Sequence, residues 1–206
     1  MTDAASPTAE DIAYVRRLAE AGARAPLLSG RFLAWWGLAL TVAYGAHHFA
    51  LSGALGAGGG VFWTIWATFA VVGVAGQILL ARNMPAKAGA GSAGNRASRS
   101  VWIAAGTAIF AVVVGAAAAV AGGASPALFD MSVPVAFAVY ACALVVTGSL
   151  SGDRIVLAAG GGAILMAGLF TALIVAPERY LIAAGGIALT VLLPGLLLLG
   201  REPRAG

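Results

Sequence analysis

The chain has 206 residues, 61% of them hydrophobic and only 10% charged, and its mean hydropathy is +0.94. A soluble domain of this size cannot bury so much apolar surface, so the composition excludes a soluble globular protein and predicts an all-α polytopic membrane protein. The formal net charge of +4 at pH 7 would suggest an anionic partner in a soluble protein. Here we attribute the charge to orientation in the membrane and expect no direct nucleic-acid binding.

Residues 1–31 are predicted to form a cytoplasmic arm that contains an amphipathic helix. The first residues lack the basic start and apolar core of a secretory signal, and a helix start follows at Thr8, with Asp11 three residues later. The apolar face of this helix is narrow, which favours an interfacial anchor lying along the membrane surface. The alternative is a docking helix for a cytoplasmic protein, with Arg16, Arg17 and Glu20 as candidate partner-binding residues.

Six apolar segments follow the arm, each with the roughly 20 residues needed to cross about 30 Å of hydrocarbon. We predict that residues 32–200 form a compact bundle of six transmembrane helices. Trp35 and Trp36 open the first span, and Trp63 and Trp66 open the second, which places two aromatic belts at opposite interfaces as in a hairpin. The predicted spans are 32–51, 61–81, 101–120, 131–150, 155–175 and 180–200.

The connections predict the orientation of the bundle. Residues 82–100 are rich in Gly, Ala and Ser and carry four cations, which indicates a flexible basic loop. With a cytoplasmic amino terminus, eleven of the twelve Lys and Arg residues fall on inner segments, including the tail 201–206, and only Arg179 falls outside. Both termini are therefore predicted to be cytoplasmic. The Arg, Ala and Gly usage is typical of a GC-rich bacterium, so we expect the bacterial inner membrane.

The spans contain few groups that could perform chemistry. No Asp, Glu, Lys or Arg lies in the middle of any predicted span, which argues against a carboxylate-driven antiporter and a voltage sensor. The only lysine, Lys87, lies in the inner loop, so a retinal Schiff base is excluded. Hydrolase and nucleotide-binding motifs are absent from the sequence, so we expect no enzyme activity and predict no cofactor.

The one candidate site for a metal is a histidine pair, His47 and His48, near the outer end of the first span. Adjacent side chains on a helix diverge by about 100°, so the two rings cannot chelate one ion together. One of them could ligate a haem or metal with groups from another span, and Asp130, Glu178 and Tyr180 are possible neighbours at that level. The alternative is an interfacial pair, with one ring facing headgroups and the other hydrogen-bonded inside the bundle.

The entry into the first span, LLSGRFLAWWG, carries a resemblance. Leu28, Ser29, Gly30, Trp36 and Gly37, after an amphipathic helix and before five further spans, resemble a group of small uncharacterised bacterial six-span membrane proteins. Members of that group are often found beside winged-helix transcription regulators, so the resemblance implies a regulatory or sensing role. It implies no catalytic or binding residues.

Two functions remain open from the sequence. The first is a regulatory or sensory protein that couples the membrane bundle to a cytoplasmic partner through the amino-terminal helix. The second is a small-solute transporter or channel subunit, assembled as a homo-oligomer because six short helices without buried charge make a poor pore alone. The polar residues that we consider pore or ligand candidates are Gln77, Tyr140 and Thr171.

Overall fold

The computed structural model describes residues 12–14, 29–55, 59–82 and 91–201. These ranges hold six long helices and no strand. The helices are α1 (Gly30–Leu51), α2 (Gly59–Arg82), α3 (Ala93–Ala121), α4 (Ala127–Ser151), α5 (Arg154–Ala172) and α6 (Arg179–Leu199).

Helices α2 to α6 are long and apolar enough to cross a bilayer, which makes the chain an all-α polytopic membrane protein, as predicted. Helix α1 has 22 residues, a sufficient length, but it is not among these five. Its arginine, paired tryptophans and paired histidines lower its mean hydropathy.

The predicted amino-terminal arm falls almost wholly outside the described residues. Of residues 1–31, only 12–14 and 29–31 are described. Residues 12–14 are helical, with the side chains of Ile12 and Tyr14 exposed, and Gly30 and Arg31 already belong to α1. Arg16, Arg17 and Glu20 lie outside the described residues, as do residues 83–90 of the connection between α2 and α3 and residues 202–206 of the tail.

The predicted flexible loop over residues 82–100 needs correction at both ends. Helix α2 continues to Arg82, and α3 begins at Ala93, eight residues before the predicted start of the third span. The cause is a helix cap: the Ser92 side chain accepts a hydrogen bond from the Asn95 amide at 3.2 Å, which satisfies a backbone donor of the first turn. The basic residues Arg96 and Arg99 therefore lie on a helix.

Local signals also fix the short turn between α4 and α5. Helix α4 ends at Ser151 and is followed by Gly152, whose φ of 66° is in the left-handed region that glycine adopts without strain. Asp153 then caps α5 by accepting hydrogen bonds from the amides of Ile155, at 2.8 Å, and Val156, at 3.3 Å. Helix α5 ends at Ala172, three residues before the predicted end of the fifth span.

The helices pack in the order α2, α1, α6, α5, α4, α3, each against its neighbours in that series. The cluster of buried apolar side chains comes from α1, α4, α5 and α6. Helices α2 and α3 contribute only partly buried aromatic side chains at its edge, namely Trp66, Phe69 and Trp102. The four central helices thus form the core, while α2 rests on α1 and α3 rests on α4.

Helices α1 and α6 run antiparallel with their backbones in contact. A Cβ atom added to Gly37 would lie 2.6 Å from the Cα of Leu192, and one added to Gly195 would lie 2.3 Å from the backbone nitrogen of Ala34. Glycine is required where two backbones approach so closely. Within α6, residues Ala188–Leu192 form a π-helical turn just before Pro194.

Candidate functional site

His47 lies at the centre of a polar and aromatic cluster at the end of the bundle where α1 finishes and α6 begins. Its ring stacks on the ring of Tyr180 in α6, with centroids 3.8 Å apart and planes 23° apart. Its Nδ1 accepts a hydrogen bond from Nε1 of Trp66 in α2, at 3.0 Å. Because Nδ1 is the acceptor, the neutral ring carries its proton on Nε2. One half-buried side chain of α1 thus contacts both α2 and α6.

The second part of the cluster joins α4 to α6. The hydroxyl of Tyr180 donates a hydrogen bond to Oδ1 of Asp130, and Nη2 of Arg179 lies 3.3 Å from Oδ2 of the same carboxylate. The side chains of Arg179 and Asp130 are 19% and 17% exposed, so this ion pair is largely removed from solvent. Asp130 also lies in the first turn of α4, where the helix dipole favours a negative charge.

Tyr44 also belongs to this group of side chains, which we call the His47 cluster. Its ring packs edge to face on Trp66, with ring centroids 5.3 Å apart, and its centroid lies 6.1 Å from that of the Tyr180 ring. The members come from four helices, and they form one continuous network from the indole of α2 to the carboxylate of α4. They are Tyr44, His47, Trp66, Asp130, Arg179 and Tyr180.

Two of the three neighbours that we expected for the histidines, Asp130 and Tyr180, belong to this cluster. The third, Glu178, is exposed and precedes the first turn of α6. Trp66 and Arg179, which also belong to the cluster, were not predicted to lie near the histidines. Tyr44 and His47 share one face of α1 because they are three residues apart, and this spacing is the one signal that could have indicated part of the cluster.

The second histidine, His48, points away from this network. Its ring contacts Phe49, and within the described part of the chain its buried Nδ1 has no hydrogen-bond partner. Among the described residues, no three His, Cys, Asp or Glu side chains are grouped so that they could hold a metal ion.

Three tryptophans of α1 and α2 bind these two helices together. Besides the Trp66 bond to His47, Nε1 of Trp35 donates to the backbone oxygen of Gly73 at 3.1 Å, and Nε1 of Trp36 donates to Oε1 of Gln77 at 2.9 Å. Gly73 and Gly76 make room for the indoles, since a Cβ at either position would overlap a tryptophan ring. Indole hydrogen bonds are thus placed towards both ends of the α1–α2 contact.

Replacing Gln77 by leucine is expected to destabilise this contact. The substitution leaves the indole N–H of Trp36 without its acceptor, and such interhelical hydrogen bonds contribute about 1 kcal/mol in membranes. Thermal denaturation in one detergent measures the loss. Thr64→Val is the matched control, because the Thr64 hydroxyl donates only to the carbonyl of Gly60 in its own helix. Equal melting temperatures for both variants would contradict this role of Gln77.

The three residues predicted as pore or ligand candidates do not converge on one site. Gln77 accepts from Trp36 near the end of α2. Tyr140 packs against the ring of Trp102, with centroids 6.0 Å apart. Thr171 is exposed, and its hydroxyl donates to the carbonyl of Ala167 in its own helix at 2.8 Å. These residues lie on three different helices, α2, α4 and α5, and no contact joins any two of them among the described residues.

Helix α3 packs on α4 with an indole hydrogen bond between the two helices, as α2 packs on α1. Nε1 of Trp102 donates to Oγ1 of Thr147 at 3.2 Å, and the hydroxyl of Ser98 lies 3.5 Å from the same oxygen. Towards the other end, an apolar groove of about 300 Å³ separates α3 from α4. The groove is lined by Val112, Gly115, Ala116, Ala119, Leu128, Met131, Ser132 and Val135.

The groove offers no reactive side chain, because the hydroxyl of Ser132, its one polar lining residue, donates to the carbonyl of Phe129 at 2.6 Å. The His47 cluster is therefore the best candidate for a functional site in the described part of the chain. No protein-family model matches this sequence, and no curated protein or solved structure matches it.

Proposed function

We propose that this chain is a regulatory or sensory protein of a bacterial inner membrane, which receives a stimulus at the His47 cluster and passes it to a cytoplasmic partner. In this proposal the bundle has six spans, with α1 as the first. The close antiparallel packing of α1 on α6 supports this count. Gly30 lies against Leu199 at one end of the pair, and His47 stacks on Tyr180 at the other. Because α1 packs along α6, which is long and apolar enough to span a bilayer, α1 crosses the membrane beside it in this proposal.

The distribution of charge supports the orientation. Among the described residues, the end of the bundle with the His47 cluster carries Asp130, Glu178 and Arg179, whose charges sum to a net negative value. The opposite end carries six arginines and a single acid, Asp153. An excess of arginine marks the cytoplasmic side, so the His47 cluster faces outward in this proposal. The six arginines are Arg31, Arg82, Arg96, Arg99, Arg154 and Arg201.

The observation that carries the proposal is the position of α2. This helix packs along α1, adds no fully buried side chain to the core, and has an indole, Trp66, bonded to His47 in the cluster. From Trp66 the helix runs 16 residues to Arg82, about 24 Å, and there it enters the connection to α3. A change at the cluster can therefore move a weakly buried helix whose other end leads into the basic cytoplasmic connection.

The partner in this proposal binds the amino-terminal arm, through Arg16, Arg17 and Glu20, together with the connection after α2. The resemblance to small six-span proteins found beside transcription regulators agrees with such a partner. The uncharged middle of the spans agrees with signalling rather than with ion-coupled transport.

Deletion of residues 1–24 tests this function. The shortened chain is expected to keep the melting temperature of the bundle and to lose its partner, because the deletion leaves α1 to α6 intact. The measurement is chemical cross-linking in the native host, followed by purification and mass spectrometry of full-length and shortened chains side by side. A triple variant, Arg16→Ala, Arg17→Ala and Glu20→Ala, is the matched control for the loss of the whole segment. If the shortened chain captures the same partner as fully as the full-length chain, the proposal is wrong.

A second candidate, a small-solute transporter or channel subunit, is favoured by one observation. The π-helical turn at Ala188–Leu192 lies within α6, and π turns in helices are frequent at functional sites. This candidate predicts solute flux in liposomes that contain the purified protein, with a changed rate in a Gln77→Ala variant. Flux that responds to this change would favour transport over signalling, and its absence over a broad panel of ions and metabolites would remove the candidate.

A further inference from the structure

We propose that the stimulus received by the cluster is a proton, bound at Nδ1 of His47, which releases Trp66 and with it the outer part of α2. This inference rests on the proposed function, because it names the ligand of that site. It begins from the hydrogen bond in which the Trp66 indole donates to Nδ1 at 3.0 Å. That bond requires a lone pair on Nδ1, so it exists only while the imidazole is neutral.

Protonation of His47 places two donors face to face. An imidazolium carries hydrogen on both ring nitrogens, and an indole N–H cannot accept a hydrogen bond in return. The Trp66 indole must then turn away or α2 must move, because 3.0 Å is too short a separation for two N–H groups aimed at each other. Helix α2 is the part that can yield, since its core-facing side chains are only partly buried.

The rest of the cluster is arranged to accept the resulting cation. The Tyr180 ring, stacked at 3.8 Å, presents its π face to His47, and an aromatic face attracts a cation. The same tyrosine donates its hydroxyl proton to Asp130, and the negative charge of that carboxylate favours a cation nearby. Both interactions become stronger when His47 is charged, whereas the bond from Trp66 is lost. The cluster thus has two states with different contacts.

Charged and titratable groups from several helices surround His47. Helix α4 presents Asp130, and α6 presents Tyr180 and Arg179. Arg179 and Asp130 are paired with each other at 3.3 Å. Helix α2 presents only the uncharged rings of Phe62 and Trp66. On α1 itself the nearby titratable side chains are Tyr44 and His48.

The test is a distance measured at the outer ends of the helices. Spin labels are placed at Trp63→Cys and Val175→Cys in a Cys142→Ala background, because the side chains of Trp63 and Val175 are 66% and 88% exposed. Double electron–electron resonance in nanodiscs then compares samples from about pH 8 to about pH 4, a range that covers and extends below the interval in which histidine ordinarily changes charge. We expect the distance between the labels to lengthen by several Å at the lowest pH.

His47→Gln is the matched control, because the amide oxygen can accept the indole hydrogen bond but cannot be protonated. This variant is expected to hold the short distance across the whole pH range. Trp66→Phe is expected to show the long distance throughout, since the donor is gone. A pH-dependent distance that is the same in the His47→Gln variant as in the chain that retains His47 would overturn the inference. So would a distance that does not change with pH in the chain that retains His47.

A second measurement applies even if the glutamine variant does not fold. Nitrogen NMR of the histidine rings in the otherwise unchanged chain follows Nδ1 of His47 directly, with His48→Gln to assign the two rings. A ring that stays neutral to about pH 4 overturns the inference. The two proposals fail separately. If partner capture depends on residues 1–24 but the spin-label distance does not change with pH, only the proposal of a proton as the stimulus is rejected. If α2 moves with pH but no partner is captured, only the proposed signalling function is rejected.

Discussion

Replacing Gly37 by valine is expected to separate α1 from α6 and to lower the free energy of unfolding by about 3 kcal/mol or more. The added Cβ would lie 2.6 Å from both the Cα and the nitrogen of Leu192, and backbone atoms cannot turn aside as a flexible side chain can. Thermal denaturation in one detergent measures the effect.

Gly45→Val is the control for this substitution. Gly45 lies on the same helix, and a Cβ added there would meet no atom within 4 Å. The control therefore carries the same change of helix propensity without the steric overlap, and it is expected to melt close to the unchanged chain. A similar loss of stability in both variants would show that the close packing of α1 on α6 is not what the glycine supports.

Replacing Asp130 by asparagine is expected to cost about 3 kcal/mol of stability. The substitution leaves the Arg179 guanidinium, only 19% exposed, without its carboxylate, and a buried charge without a partner is strongly unfavourable. It also weakens the hydrogen bond that Tyr180 donates. The measurement is again the melting temperature.

Adding Arg179→Gln to the Asp130→Asn chain is expected to restore part of the loss, because the second change removes the unpaired charge. The Arg201–Asp153 pair at the opposite end of the bundle provides the comparison. Arg201 is 60% exposed, so Arg201→Gln should cost less than about 1 kcal/mol. Equal losses for Asp130→Asn and Arg201→Gln would contradict the burial assigned to the Asp130 pair.

The helical membrane class could be predicted from the sequence because hydropathy is a local property of each segment. The start of α3 could not, because its cap residue, Ser92, lies among many similar small residues in a Gly- and Ala-rich stretch. Hydropathy also says little about the position of α1. This helix packs against α6 through close backbone contacts at Gly30 and Gly37, and an average of hydropathy contains no information about such contacts.

The candidate site could be predicted only in part. Asp130 and Tyr180 were expected near His47 because the order of the predicted spans puts all three at the same end of the bundle. Trp66 and Arg179 were not assigned to it, because membership depends on which helices are lateral neighbours and on the direction of each side chain. Both depend on the packing of α1 between α2 and α6, and this packing cannot be deduced from the sequence of any one segment alone.

The transmission that we propose along α2, from the His47 cluster to the connection between α2 and α3, can be measured at the far end of the helix. Spin labels at Ala81→Cys in α2 and Leu150→Cys in α4, both exposed positions, report the distance between the helix ends opposite the His47 cluster in the Cys142→Ala background. Trp66→Phe removes one indole N–H about 22 Å away along α2. We expect this single change to shift the distance between residues 81 and 150. An unchanged distance, in a variant whose labels at residues 63 and 175 do move, would contradict transmission through α2.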